Sequence, residues 1–324
     1  MPEKVTFARV EEKDSDIRLD RWFKRYYPSL RHGTLERLLR GKNIRVNGKK
    51  ATSDQHLHIG DEIRIPPFQE EVSLHKAVSE KDAAFIRSLV IYQDKDVVVL
   101  NKPAGLAVQG GTKTDRHIDG MLDALTFNGE RPRLVHRLDK ETSGVLVLAR
   151  TAKVAAFLAE AFQTKAARKV YWALVVGKPE KSFGKITAPL MKKSGRDGGE
   201  MVFVDPEGQK AQSLYQLIDS AGNKVSWLAL MPLTGRTHQL RVHCQSMGTP
   251  ILGDKKYGKN ETLDGLESFS KFMHLHARAL QIPLPTGKIL KITAQMPIHM
   301  KNSFDFFGFS DKDNKEPFEA FEKK

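Results

Sequence analysis

Cysteine is all but missing: among 324 residues there is one, Cys244. A single thiol closes no intrachain disulfide and supplies no thiolate zinc cluster, so core packing must hold the chain together, as suits a reducing cytoplasm. Long hydrophobic runs are also absent. The best, Val97 to Leu100 and Val145 to Ala149, are strand-sized and far short of the roughly 20 residues a spanning helix needs. The start, Met1 to Asp16, is charged throughout and lacks the apolar stretch of a secretion signal. These features exclude a membrane-spanning role. Acidic residues are in deficit: 53 Lys plus Arg face 39 Asp plus Glu, a formal net charge of +14, which makes a polyanion the natural partner. Apolar residues at 40% and charged residues at 28% otherwise match globular usage and exclude wholesale disorder. A chain this long is expected to form about two domains.

The positive excess is local. Residues 17–50 hold eleven Lys and Arg, among them Arg18, Arg21, Arg37, Arg40, Lys42 and Arg45, against Asp20 and Glu36 alone. Leu19, Trp22, Phe23 and Tyr26 recur at helical spacing, and Leu35, Leu38 and Leu39 do so again after a break at Pro28 and Gly33. Two short amphipathic helices with basic outer faces follow. Ile44-Arg45-Val46 then meets the Asn47-Gly48 turn signal, Ile63-Arg64-Ile65 alternates as a strand, and Pro66-Pro67 closes the unit. The stretch RLDRWFKRYYPSLRHGTLERLLRGKNIRVNG with HIGDEIRIPP resembles the S4 RNA-binding domain. That resemblance implies an RNA-gripping module over 1–67, with the six named basic residues touching the RNA backbone. Residues 68–84 are polar and read as a linker.

From Phe85 onward strand and helix patterns alternate. Tyr92 to Leu100 reads as one strand, Lys169 to Val176 as another, and Val225 to Met231 as a third leading into a helix from about Thr237 to Met247. Thr151 is placed to cap a helix with an apolar stripe of Val154, Phe157, Leu158, Ala161 and Phe162. On strand 169–176, Tyr171, Ala173 and Val175 share one face, and Trp172, Leu174 and Val176 the other. After Met300 the pattern degrades into NSFDFFGFSDKDNKEPFEAFEKK, so 301–324 reads as a mobile tail packing a few Phe side chains on the body.

The chemistry centres on RLVHRLDKETSGVLVLAR, where Asp139 lies in a loop before an apolar strand and between basic neighbours that stabilise a carboxylate. Composition alone leaves Asp139 a surface ion-pair partner and Tyr171 a core tyrosine. HRLDKETSG, LNKPAGLAVQGG, ARKVYWALVVG, TGRTHQLRVHCQSMGTPILGDKKYG and HLHARAL together, from about Ile91 to Pro297, resemble the RluA-type pseudouridine synthases.

The resemblance implies an α+β catalytic domain over 85–300, with a mixed, mainly antiparallel sheet flanked by helices. It implies an isomerase converting uridine to pseudouridine in large-subunit (23S) ribosomal RNA or the pre-ribosomal large subunit. Isomerisation changes no oxidation state and imports no group, so no cofactor is expected, and with nothing in the sequence to suggest an obligate dimer a monomer is expected. Asp139 falls on the catalytic carboxylate, Tyr171 on a tyrosine that stacks on the base, and Arg241 on the arginine pairing with that carboxylate. Arg137 falls on the residue that fills the space left by the flipped base, and His136, Lys102, Arg236 and His238 are its expected substrate-binding companions. Gln109 stands where relatives often carry histidine, a departure bearing on the target uridine more than on the chemistry. A noncatalytic RNA-binding assembly factor would share the same charge balance, and a pseudouridine synthase acting on another RNA would share the motifs as well.

Two decoys accompany these motifs. Gly253 to Lys259 matches most of a phosphate-binding loop, but Asn260 stands where a magnesium-binding Ser or Thr belongs. His136, His238, His243, His274 and His276 follow no metal-ligand spacing, so no metal is expected.

Overall fold

A computed structural model describes residues 4–27, 30, 32–68, 78–111, 114–194, 200–258, 269, 271–311 and 317–318. The chain divides into two compact units, Met1–Ala77 and Val78–Lys324. None of its helices, among the described residues, is long and apolar enough to cross a membrane.

The first unit runs β1 (Thr6–Arg9), α1 (Leu19–Tyr26), α2 (His32–Arg40), β2 (Arg45–Val46), β3 (Lys49–Lys50) and β4 (Glu62–Ile65), with its strands ordered β1-β4-β2-β3. Leu19, Trp22 and Phe23 of α1 and Leu35 and Leu39 of α2 bury one helical stripe against Val46, Ile63 and Ile65. The β2–β3 turn has both central residues at positive φ, Asn47 at 52° and Gly48 at 73°, a conformation this pair tolerates best. Pro28 and Arg31 lie outside the described residues, as do 69–77 of the expected linker. The linker reading fails for 79–84, because the Ser79 side chain accepts the Asp82 N–H and starts α3 (Glu80–Ser88).

The second unit continues through β5 (Val90–Gln93), β6 (Val97–Lys102), α4 (Ile118–Met121), β7 (Arg133–Leu134), β8 (Ser143–Ala149), α5 (Ala152–Gln163), β9 (Arg168–Val176), β10 (Phe183–Thr187), β11 (Leu190–Ser194) and β12 (Glu200–Val204). It ends with β13 (Gln212–Ala221), β14 (Val225–Pro232), α6 (Gln239–Ser246), β15 (Leu275–Pro283), β16 (Ile289–Thr293) and α7 (Ile298–Phe307). The main sheet runs β10-β13-β14-β9-β15-β8-β6-β5, with β16 on β15, β7 on β8 and β11–β12 forming a separate ribbon. Only β8–β15 is parallel among the described strand pairings, so the sheet is mixed and the class α+β.

All seven residues of β8 are buried because both faces are covered. Val145 and Val147 pack with Val154, Leu158 and Ala161 of α5, while Leu146 and Leu148 pack with Ile86, Ile118 and Met121. Gly144 has φ 112°, and a Cβ there would meet the carbonyl of Ala277, so only glycine lets β15 approach.

Three local expectations need correction. The strand read over 92–100 is a hairpin, since the Asp94 carboxylate accepts the N–H groups of Asp96 and Val97, both at 2.8 Å, and turns the chain. Phe157 belongs on the outside of α5, 37% exposed, while the rest of its stripe packs inward. The tail is helical over α7, and Phe304, Phe309 and Phe318 pack beside Trp172 and Trp227. Aromatic burial outweighs the surrounding charge there. Residues 312–316 and 319–324 lie outside the described residues.

Candidate active site

A cleft of about 600 Å³ opens in the second unit between the 135–142 loop, the end of α5, β9 and the 232–241 segment. Its size suits a nucleoside-sized ligand. Asp139, Tyr171, Arg241, Arg137, His136, Arg236 and His238 all line it. The three expected catalytic side chains therefore meet, although they come from a loop, a central strand and a helix.

The loop carrying Asp139 is tied from below. Its own carbonyl accepts the Thr142 N–H at 3.1 Å, and the neighbouring Lys140 carbonyl accepts the Gly105 N–H at 2.9 Å and the Lys102 ammonium at 3.0 Å. Lys102 donates further to Pro103 O at 2.9 Å and Leu106 O at 2.7 Å, and it is fully buried. This corrects its expected role. Lys102 does not line the cleft; it fastens the 103–106 turn to the residue beside Asp139. Burial pushes its pKa down to about 7, against the pull of Glu141 and Asp139.

Tyr171 presents its ring to the cleft from β9, with the alternation expected: Ala173 and Val175 share its side, and Trp172 and Leu174 the other. Burial, and then the charge of Asp139, raise its phenol above the usual tyrosine range, so it stays protonated. His136 is a wall rather than a cation. Its Nε2 accepts the Val147 N–H at 2.9 Å, its ring lies 4.5 Å from that of Phe162, and burial lowers its pKa to about 3.

Arg241 needs the largest revision. Its Nε and Nη2 each donate at 2.7 Å to Asp254, leaving Nη1 4.0 Å from Asp139. The main partner is therefore Asp254, which also accepts the N–H groups of Lys256 at 2.9 Å and Tyr257 at 3.1 Å. Both side chains of the pair are buried, Arg241 at 7% and Asp254 at 3% exposure. Burial opposes the Arg241 charge, but the hydrogen bonds and attraction of Asp254, helped by Asp139, raise its pKa. The guanidinium fork thus grips one carboxylate and presents its last donor edge to the other.

His238 enters from an unexpected geometry. It does not sit within the helix beside Arg241 but precedes it at φ 54°, which turns its ring toward Asp139, with Nε2 3.9 Å from Oδ2. Gln239, next in the chain, is the buried anchor of this corner. Its amide oxygen accepts from Thr234 Oγ1 at 2.7 Å and Arg236 N at 3.1 Å, and its amide nitrogen donates to Gln212 O and Ser213 Oγ at 2.8 and 2.9 Å.

Arg137 and Arg236 are exposed at the cleft. Arg236 Nε donates to Lys210 O at 3.3 Å, whereas the Arg137 side chain has no ion pair among the described residues.

Sequence reasoning missed Asp254, Tyr257 and Gln239. All three lie inside motifs already in view, and the signal was the buried polar residue within TGRTHQLRVH and GDKKYG. The phosphate-loop likeness dissolves here, because the loop closes around the Asp254 carboxylate instead of presenting open N–H groups to an anion. Lys259 and Asn260 lie outside the described residues. The other motif histidines are core residues. His243 faces Ser213 Oγ and Ala188 O, His274 faces Leu252 O and Ser303 Oγ, and His276 faces Ser143 Oγ and Ala294 O.

On the first unit, Arg18 is engaged with Asp20 through bonds of 3.2 and 2.7 Å, so its guanidinium is less available to RNA than expected. Arg21, Arg37, Arg40, Lys42 and Arg45 are exposed, with Arg45 also bonded to the Lys42 and Gly48 carbonyls.

Residues 96–246 match the family described as RNA pseudouridylate synthase. Ribosomal large subunit pseudouridine synthase C of Rickettsia typhi is 38% identical over 87% of this chain and 95% of its own length. RNA pseudouridine synthase 4, mitochondrial, of Arabidopsis thaliana is 35% identical over 88% of this chain and 78% of its own. The solved structure of human RNA pseudouridylate synthase domain containing 4 superposes with a TM-score of 0.60 at 32% identity, covering 70% of this chain and 97% of that one.

Proposed function

The chain belongs to the RluA-type RNA pseudouridylate synthases, and from that premise we propose that it isomerises specific uridines of large-subunit (23S) ribosomal RNA, with Asp139 as the catalytic carboxylate. One observation carries the residue assignment: in a cleft lined by cations, Asp139 is the sole acidic side chain among the described residues, facing Arg241 at 4.0 Å and His238 at 3.9 Å. The reaction breaks the bond from C1′ to N1, turns the uracil and joins C1′ to C5. N1 gains a proton and C5 loses one, with no change of oxidation state. A carboxylate can open this sequence by attacking C1′ or by removing a sugar proton. Tyr171 supplies a protonated aromatic face on which a detached uracil can turn, since stacking tolerates rotation about the ring normal. Arg241 steadies the Asp139 charge through its free edge.

A base inside folded RNA must be swung out before Asp139 can reach it, at a cost of a few kcal/mol. Arg137, two residues before Asp139 and exposed at the same cleft, fills the space left behind in this reading. The first unit acts as an S4-like grip, with Arg21, Arg37, Arg40, Lys42 and Arg45 on RNA phosphates. Release of tritium from C5-labelled uridine in 23S RNA tests the proposal. Wild type should release label and Asp139→Asn should not while still binding RNA. Absence of release by wild type would favour the noncatalytic assembly factor. Mapping pseudouridines in a strain lacking the protein, with either form restored, identifies the sites.

A further inference from the structure

Tyr257 has no part in the chemistry above, yet it is buried and its ring and hydroxyl lie against two cleft residues, Arg241 and His238. Its hydroxyl lies 2.8 Å from His238 Nδ1 and 3.1 Å from the backbone nitrogen of Val202 on β12. The Val202 N–H can only donate, so the Tyr257 oxygen accepts there. If His238 Nδ1 also donated, the phenolic hydrogen would have no acceptor among the described residues. Satisfying every group requires Tyr257 O–H to donate to a bare Nδ1. The neutral imidazole must then carry its proton on Nε2, the nitrogen 3.9 Å from Asp139 Oδ2.

We propose that Tyr257 is a positioning residue that locks His238 in the Nε2–H tautomer, so that a neutral donor faces the Asp139 carboxylate in the cleft. This rests on the assignment of Asp139 given above. A neutral N–H steadies the carboxylate without cancelling its charge, which an imidazolium would do more fully, and so leaves it able to react. The 3.9 Å gap is longer than a hydrogen bond and closes by a small movement or through the ribose of an entering nucleotide. The backbone supports the aim: His238 at φ 54° turns its ring out of the helix line. The Tyr257 ring is itself held, with the Arg241 guanidinium 4.9 Å from its centre.

The charged groups facing His238 are Asp139 from the loop before β8, Arg241 from α6, and Asp254 and Lys256 from the loop carrying Tyr257. Burial lowers the His238 pKa most; Asp139 and Asp254 oppose this, and Arg241 and Lys256 add to it. Protonation at Nδ1 would also force Tyr257 to abandon its donor role. Loss of the hydroxyl therefore eases protonation and moves the acid limb of activity to higher pH.

Nitrogen-15 spectra of histidine-labelled, full-length protein without RNA test the tautomer directly. The His238 signals are assigned by their loss in His238→Asn, a residue that accepts positive φ readily. A protonated Nε2 and bare Nδ1 are expected in wild type; a protonated Nδ1 or an even mixture overturns the inference. In Tyr257→Phe, the acid limb of kcat should shift upward with KM held, and kcat at neutral pH should fall about tenfold. An unmoved limb would refute the coupling. Activity surviving in Asp139→Asn would instead refute the underlying assignment, while leaving the tautomer measurement valid.

Discussion

Arg21 and Arg37 on the first unit stand in solvent without an ion pair among the described residues, whereas Arg241 in the second is 7% exposed and holds Asp254 by two 2.7 Å bonds. The same side-chain chemistry serves two purposes. An exposed guanidinium keeps its hydration and can exchange it for a phosphate, giving affinity that salt screens. A buried one has lost its water and depends on fixed partners, so its charge is a structural and catalytic element that salt barely reaches. The first unit should therefore respond to ionic strength and the second to loss of partners or to pH.

The largest effect that sharpens this contrast is on chemistry. Asp139→Asn should lower kcat by roughly 10³-fold or more, with RNA binding unchanged in a filter assay. Next, Arg241→Met should strand the Asp254 carboxylate and cost about 3–5 kcal/mol in denaturant unfolding, most of it recovered in Arg241→Met with Asp254→Leu. Equal destabilisation in the double variant would show that the pair is not the source.

Acid should separate the units as well. Burial holds His274 and His276 at about 4, below the ordinary 6.5, so the unfolded chain takes up their protons well before the native state does. The native state is favoured above 6.5, and that advantage is lost as pH falls from about 6.5 to about 4, on the order of 3 kcal/mol per histidine. In the first unit His56 and His58 are exposed. Its buried acid, Asp14, is disfavoured by burial yet held below its ordinary value by hydrogen bonds from Tyr26 and Arg25. Hydrogen exchange at pH 5 should show the second unit opening first. Earlier opening of the first unit would break the comparison.

Gly144→Ala should destabilise the second unit by about 1–3 kcal/mol in thermal unfolding, because the added carbon meets the Ala277 carbonyl. The mildest effect belongs to the surface. Arg21→Ala with Arg37→Ala should leave kcat intact and make log affinity fall less steeply with log salt, by about 1 in slope for each phosphate that is no longer neutralised.

Much of this was legible in the sequence. The Asn47-Gly48 hairpin, the Thr151 cap and the two faces of 169–176 follow from local rules, since turn conformation, capping and alternation involve residues close along the chain. Motif order brought Asp139, Tyr171 and Arg241 to notice. What the sequence hid is non-local. Lys102 looked like a cleft residue until the fold buried its ammonium among three carbonyls, and the pairing of Arg241 with Asp139, at 4.0 Å, gave no sign of the tighter grip on Asp254 thirteen residues on.

The sequence by itself determined where charge and apolar periodicity lie, and hence two units, one basic and one built on buried strands. Only the tertiary structure decided which charges are spent on one another. A side chain's partner depends on what folds against it after water has left, and that choice is made by non-local packing: β15 beside Gly144, the 251–258 loop beneath α6, and Tyr257 behind His238.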